Sequence, residues 1–116
     1  LRALIIFRDG DHVLSFLLKK GFQHCFVCIE QNGLWIQIDY RAGVPDIRYL
    51  SQSDFDLASF YRDQGMTVVE TTQGSKPATF PFSLRNCVGM AKQILCINNF
   101  ALTPYGLYKR EVNYVK

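Results

Sequence analysis

The dipeptide Asn32-Gly33 constrains this chain more than any other feature of it. A tight primed turn needs positive φ angles, which Asn and Gly tolerate and most residues do not. On either side lie residues 23–30 (QHCFVCIE) and 34–40 (LWIQIDY), both rich in β-branched and aromatic side chains. The segment is therefore read as a β-hairpin. The turn also sets the register. Gln31 pairs with Leu34, Glu30 with Trp35, Ile29 with Ile36, Cys28 with Gln37, Val27 with Ile38 and Phe26 with Asp39. Side chains alternate along a strand, so His24, Phe26, Cys28 and Glu30 share one face, and Cys25, Val27 and Ile29 share the other.

The flanking segments complete an α+β pattern. Leu4-Ile5-Ile6-Phe7 reads as a buried strand, followed by a turn at Arg8-Asp9-Gly10. Asp9 or Asp11 is placed to cap a short helix running through Lys20, which Gly21 stops. Residues 41–45 (RAGVP) read as a loop and 46–50 as a short strand. Ser51 or Ser53 is expected to cap a helix through Gln64, ended by Gly65. Residues 66–72 (MTVVETT) alternate like a strand. Residues 73–82 hold Gly74, Pro77 and Pro81 and read as a loop. Ser83 then opens the clearest helix, through about Ile97, with Leu84, Val88, Ala91 and Leu95 on one face. Tyr105 to Tyr108 is read as one further helical turn. The order β-α-β-β-(β)-α-β-α suits an antiparallel α+β sheet rather than a parallel doubly wound one.

At 116 residues the chain has the size of one domain. A hydrophobic share of 48% excludes intrinsic disorder. No apolar run approaches the ~18 residues of a membrane span. The formal net charge of +3 favours neither nucleic acid nor an acidic ligand. No basic region followed by an apolar stretch opens the chain, so no signal peptide is expected; a start at Leu1 rather than Met is compatible with a removed leader or tag. Four cysteines are too few for a disulfide scaffold, and free thiols in a reducing compartment are expected.

Those cysteines and two histidines limit the chemistry. A thiolate is favoured at a helix N-terminus, where unpaired N–H groups and the helix dipole attract negative charge. Cys87 alone is so placed, in the first turn of the 83–97 helix, and its own N–H is a candidate oxyanion donor. A thiol also needs a base. His24 opens the hairpin. Cys25 is its chain neighbour but points away, and Cys28 lies about 13 Å along the strand. Cys87 is the thiol a fold could bring to His24. The base in turn needs an orienter. Asp39 shares the face of His24 and lies diagonal to it, with Gln37 one step further and Arg41 directly opposite. Taken singly, each has an ordinary explanation: a Cys early in an amphipathic helix is most often a small core residue, and a strand His a surface or satisfied core one. Their coincidence in one pattern points to a site.

The remaining candidates are weaker. Cys25 and Cys28 sit on opposite faces of one strand, unlike redox or zinc pairs, so no metal is expected. Cys96 lies half a turn round the helix from Cys87. His12 falls near a helix start and is expected to be exposed. Tyr105, Tyr108 and Tyr114 are read as packing against the sheet.

A His opening a strand, a polar residue on the next strand, and later Asn86-Cys87 starting an amphipathic helix resemble the circularly permuted branch of the NlpC-type, papain-like cysteine peptidases. In that branch, which includes acyltransferases of the lecithin–retinol type, His precedes Cys. Residues 21–26 (GFQHCF), 86–88 (NCV) and 102–105 (LTPY) also look like small bacteriophage proteins. The resemblance spans roughly residues 7–108. It implies a papain-like fold with Cys87 as nucleophile, His24 as base and Asp39 as orienter, acting without a cofactor on amide bonds such as those of cell-wall peptides. It implies a location in the cytoplasm, of a bacterial host if phage-encoded, or on the virion. Val88-Gly89 follow the Cys where the acyltransferases carry Glu-His, which argues against lipid acyl transfer. The alternative from another class is a non-catalytic module that keeps the fold and binds a protein or wall component. Neither the substrate nor the oligomeric state is legible in the sequence.

Overall fold

A computed structural model gives the fold and describes residues 2–10, 19–41, 44–73, 87–95, 97 and 103–115. The elements are β1 (Arg2–Arg8), β2 (His24–Gln31), β3 (Leu34–Arg41), β4 (Val44–Gln52), α1 (Leu57–Asp63), β5 (Thr67–Thr72), α2 (Cys87–Leu95) and α3 (Pro104–Val115). The architecture is α+β. The strands form one sheet in the order β4-β3-β2-β1-β5, and every pairing is antiparallel.

The β2–β3 hairpin has the register that Asn32-Gly33 predicts, from Gln31 opposite Leu34 to Val27 opposite Ile38. Asn32 (φ 55°) and Gly33 (φ 78°) both adopt the left-handed conformation the turn requires. A Cβ at Gly33 would meet nothing within 4 Å. Gly33→Ala should therefore cost the backbone term alone, about 1–2 kcal/mol. Urea unfolding should show that loss with an unchanged m-value; a neutral variant would contradict a turn that depends on positive φ.

Because both sheet faces are covered, alternate residues of the central strands enter two separate cores. Ala3, Ile5, Phe7, Cys25, Val27 and Ile29 pack with Val88, Ala91 and Leu95 of α2 and Leu107 of α3. Leu4, Ile6, Phe26, Cys28 and Trp35 pack on the other side with Leu57, Ala58 and Tyr61 of α1. This is why β1 reads as an unbroken apolar run, whereas β4, at the edge, does not. Among the described residues no helix is long and apolar enough to cross a membrane.

Several boundaries depart from expectation. Of the expected 41–45 loop, Arg41 belongs to β3 and Val44 and Pro45 to β4, while residues 42 and 43 lie outside the described residues. Pairing with β3 carries β4 on to Gln52, past a bulge between Trp35 and Ile36. The ladder thus claims Ser51 and Gln52, and α1 begins only at Leu57. Its cap is Asp56, whose carboxylate accepts from Ser59 N–H (3.1 Å) and Ser59 Oγ (2.8 Å), not Ser51 or Ser53. These bonds hold the Asp56 carboxyl below its ordinary pKa. Lys19 and Lys20 are not helical, and Phe22 N–H closes a turn on Lys19 C=O at 2.9 Å. The single turn expected at 105–108 is the start of the twelve-residue α3. Most of the expected 11–20 helix, the 73–82 loop beyond Gln73, Ser83, Leu84, Asn86 and Cys96 lie outside the described residues.

Candidate functional site

His24 is the first residue of β2 and pairs with Arg8 of β1. Continuing the β2–β3 register places Asp39 diagonally across from it, within reach for two side chains of this length. The two meet: His24 Nε2 lies 2.6 Å from Asp39 Oδ1, a length typical of a short, charge-assisted hydrogen bond. The Asp39 side chain is 1% exposed and that of His24 16%. In the neutral imidazole this geometry puts the ring proton on Nε2, donated to the carboxylate. Nδ1 is then the nitrogen with basic character.

Gln37, the alternative orienter, is engaged elsewhere. Tyr61 O–H of α1 donates to its Oε1 at 3.4 Å. Tyr61 also lies against Cys28. Burial raises the Cys28 thiol pKa to about 12. Burial first, and then Cys28, push the Tyr61 hydroxyl up as well. Cys28 therefore stays protonated and inert at neutral pH. Cys25, in the opposite core, is fully buried. The two cysteines face opposite sides of the sheet, as expected. Among the described residues no group of three His, Cys, Asp or Glu side chains could hold a metal ion.

Asp39 also has a carboxylate neighbour, Asp46, directly opposite it on β4. Like charges facing each other across a ladder repel. Each carboxylate has its own partner: Asp39 meets the His24 ring, and Asp46 is held by Arg48 Nη2 at 3.0 Å. The Asp46–Arg48 pair was not singled out from the sequence. Its signal is an acidic and a basic residue two apart on one strand, which alternation places on the same face.

Cys87 is the first residue of α2. The helix packs chiefly on β2 and β3. At its other end Gln73 Nε2, just after β5, donates to Ile94 C=O at 2.7 Å. Gln73 follows Thr72, which pairs with Arg2 at the end of the sheet away from Arg8 and His24. The N-terminus of α2 is therefore directed toward the His24 end. The layers differ, however. His24 and Asp39 belong by alternation to the α1 side, with Phe26, Cys28 and Trp35, whereas α2 covers the side of Cys25, Val27 and Ile29. The structure thus joins His24 to Asp39 and orients the start of α2 toward their end of the sheet. His12 lies outside the described residues. Compared with known proteins, the chain matches no family model, no curated protein and no solved structure.

Proposed function

We propose that the protein is a thiol hydrolase that cleaves an amide bond through a Cys87 acyl-enzyme. The observation that carries this reading is the 2.6 Å bond from His24 to a carboxylate buried to 1% exposure. It sits at the end of the sheet toward which the Cys87 end of α2 is directed. Such a bond holds an imidazole in one tautomer and one orientation, which general-base catalysis requires. In the proposed reaction His24 Nδ1 takes the Cys87 thiol proton, and the thiolate attacks the amide carbon. The Cys87 backbone N–H, at a helix start, is suited to stabilise the developing oxyanion. His24 returns the proton to the departing amine, leaving a thioester. Water, deprotonated by His24, then releases the acid and restores the thiol. The papain-like resemblance adds the substrate class, an amide of cell-wall type.

A second reading, a non-catalytic module that binds a protein or wall component, is favoured by one observation: alternation assigns His24 and α2 to opposite layers. Thiol reactivity separates the two. Under the hydrolase reading, iodoacetamide at neutral pH should alkylate Cys87 at least ~100-fold faster than Cys25 and Cys28, since thiolate character and access set the rate. His24→Ala should remove most of that advantage. Peptide mass spectrometry of the full chain over a time course measures each rate. Equal, slow labelling of all the thiols would overturn the hydrolase and leave the binding module.

A further inference from the structure

We infer that the outer edge of β4 is a self-association surface, on which a second copy of this chain adds its own β4 antiparallel across a two-fold axis centred on Ile47. Among the described residues β4 ends the sheet, with β3 on one side and no strand on the other. Edges of this kind are usually blunted by charge or covered. This one carries Pro45, Asp46 and Arg48, yet it also exposes large apolar side chains: Val44 is 65% exposed, Ile47 64% and Tyr49 60%.

The hydrogen-bonding phase of the edge follows from the hairpin. Gln31 and Leu34 flank the two-residue Asn32-Gly33 turn and so exchange hydrogen bonds. Bonding alternates along a strand, so Leu34, Ile36 and Ile38 point their backbone groups at β2, whereas Gln37, Asp39 and Arg41 point theirs at β4. Their partners Arg48, Asp46 and Val44 are thereby satisfied within the sheet. Pro45, Ile47 and Tyr49 turn their backbone groups outward. Proline suits that position, since it has no N–H to leave unpaired. The outward N–H groups of Ile47 and Tyr49 are thereby left open to water or to another strand.

A two-fold strand pair can be centred on Asp46, Ile47 or Arg48, and charge decides among these. Centring on Asp46 or on Arg48 sets that residue against its own copy, like charge against like. Centring on Ile47 sets Asp46 opposite the second copy's Arg48, and Arg48 opposite its Asp46. The Asp46–Arg48 pair already present within each strand, at 3.0 Å, becomes a ladder of four alternating charges. On the other face Ile47 meets its own copy and Tyr49 meets Pro45. The two Ile47 residues exchange both their backbone bonds, and each Tyr49 N–H donates to a Pro45 C=O. An interface built on one strand from each copy is small, in the weakly associating class.

Sedimentation velocity and light scattering on the full chain, from about 1 μM to about 1 mM, test this directly. The expected result is a reversible monomer–dimer equilibrium that high salt weakens. Arg48→Asp alone, and Asp46→Arg alone, place like charges opposite each other and should each weaken self-association at least ~10-fold. An equimolar mixture of the two variants restores opposite charges at every position and should regain the dimer. Ile47→Lys, at an exposed site, should be monomeric with an unchanged far-ultraviolet spectrum. A chain that is monomeric throughout the range, a dimer indifferent to Arg48→Asp and Ile47→Lys, or a mixture that does not associate would each overturn the proposal.

Discussion

His24→Ala is expected to destabilise the fold by about 3–5 kcal/mol, the usual cost of leaving a buried charge without its partner. Most of that cost comes from what is left behind. The Asp39 carboxylate remains at 1% exposure, opposite Asp46, without the imidazole it meets at 2.6 Å. The reverse change is milder. Asp39→Asn keeps the volume and an acceptor oxygen for Nε2–H, and removes the repulsion with Asp46. A loss of about 1 kcal/mol is expected there, the net worth of an ordinary hydrogen bond. Urea unfolding at neutral pH and low salt, with matched m-values, gives both numbers. If His24→Ala costs no more than Asp39→Asn, the pair does not hold a buried charge. This test concerns the fold alone and is independent of the chemistry proposed for Cys87. Alkylation rates of Cys87 in the same two variants connect them: under the proposed hydrolase reading, His24→Ala should lower the rate far more than Asp39→Asn, whose amide can replace the orienter in part.

Phe7→Ala should have an effect of similar size, about 3–5 kcal/mol, for a different reason. Phe7, next to last in β1, has no exposed surface. Its ring centroid lies 5.6 Å from that of Phe22 and 5.6 Å from that of Tyr108, the latter edge-on. Phe22 in turn meets Tyr108 at 4.8 Å and Tyr105 at 5.1 Å. One side chain thus ties β1 to the segment entering β2 and to α3. Its removal opens a cavity and also breaks aromatic pairs worth about 0.5–1.5 kcal/mol each beyond their area. Phe55 is the control. It is 45% exposed and makes an edge contact with Phe60, itself 45% exposed, at 5.8 Å. Phe55→Ala should stay within about 1 kcal/mol. Thermal unfolding should separate the two by more than ~10 °C. Equal losses would mean that the Phe7 cluster does not lock the layers together. Because Phe7 pairs with Cys25, next to His24, loosening it should also lower the order of the His24 ring.

The chain's local rules reach a long way into this structure. Asn32-Gly33 demands two positive φ angles; that demand sets the β2–β3 register, and the register brings Asp39 to His24 rather than to the other face. The spacing of Val88, Ala91 and Leu95 marks the buried side of α2 before any partner is known, and all three enter one core. The opposite orientations of Cys25 and Cys28 follow from the two-residue period of a strand. Each of these depends on geometry repeated over a few residues, which a sequence displays directly. Other features depend on neighbours distant in the chain. The α1 start moved from Ser51 to Leu57 because β3 offers hydrogen bonds to Ser51 and Gln52, and a ladder outcompetes a possible cap. The tail became a twelve-residue helix because Leu107 enters the core beneath α2, with Tyr108 and Val112 packed against it. An amphipathic stripe says which residues of a helix are buried but not against which side of a two-sided sheet. The placement of α1, through Tyr61, beside Cys28 and Gln37, and of α2 on the reverse side, was decided by tertiary packing alone. The same holds for β1, which lies between β2 and the distant β5. Its all-apolar sequence announces burial on both faces, yet pairing with a strand some sixty residues away (Phe7 opposite Thr67) depends on closing a long loop and satisfying every backbone group at once, and no local periodicity encodes that.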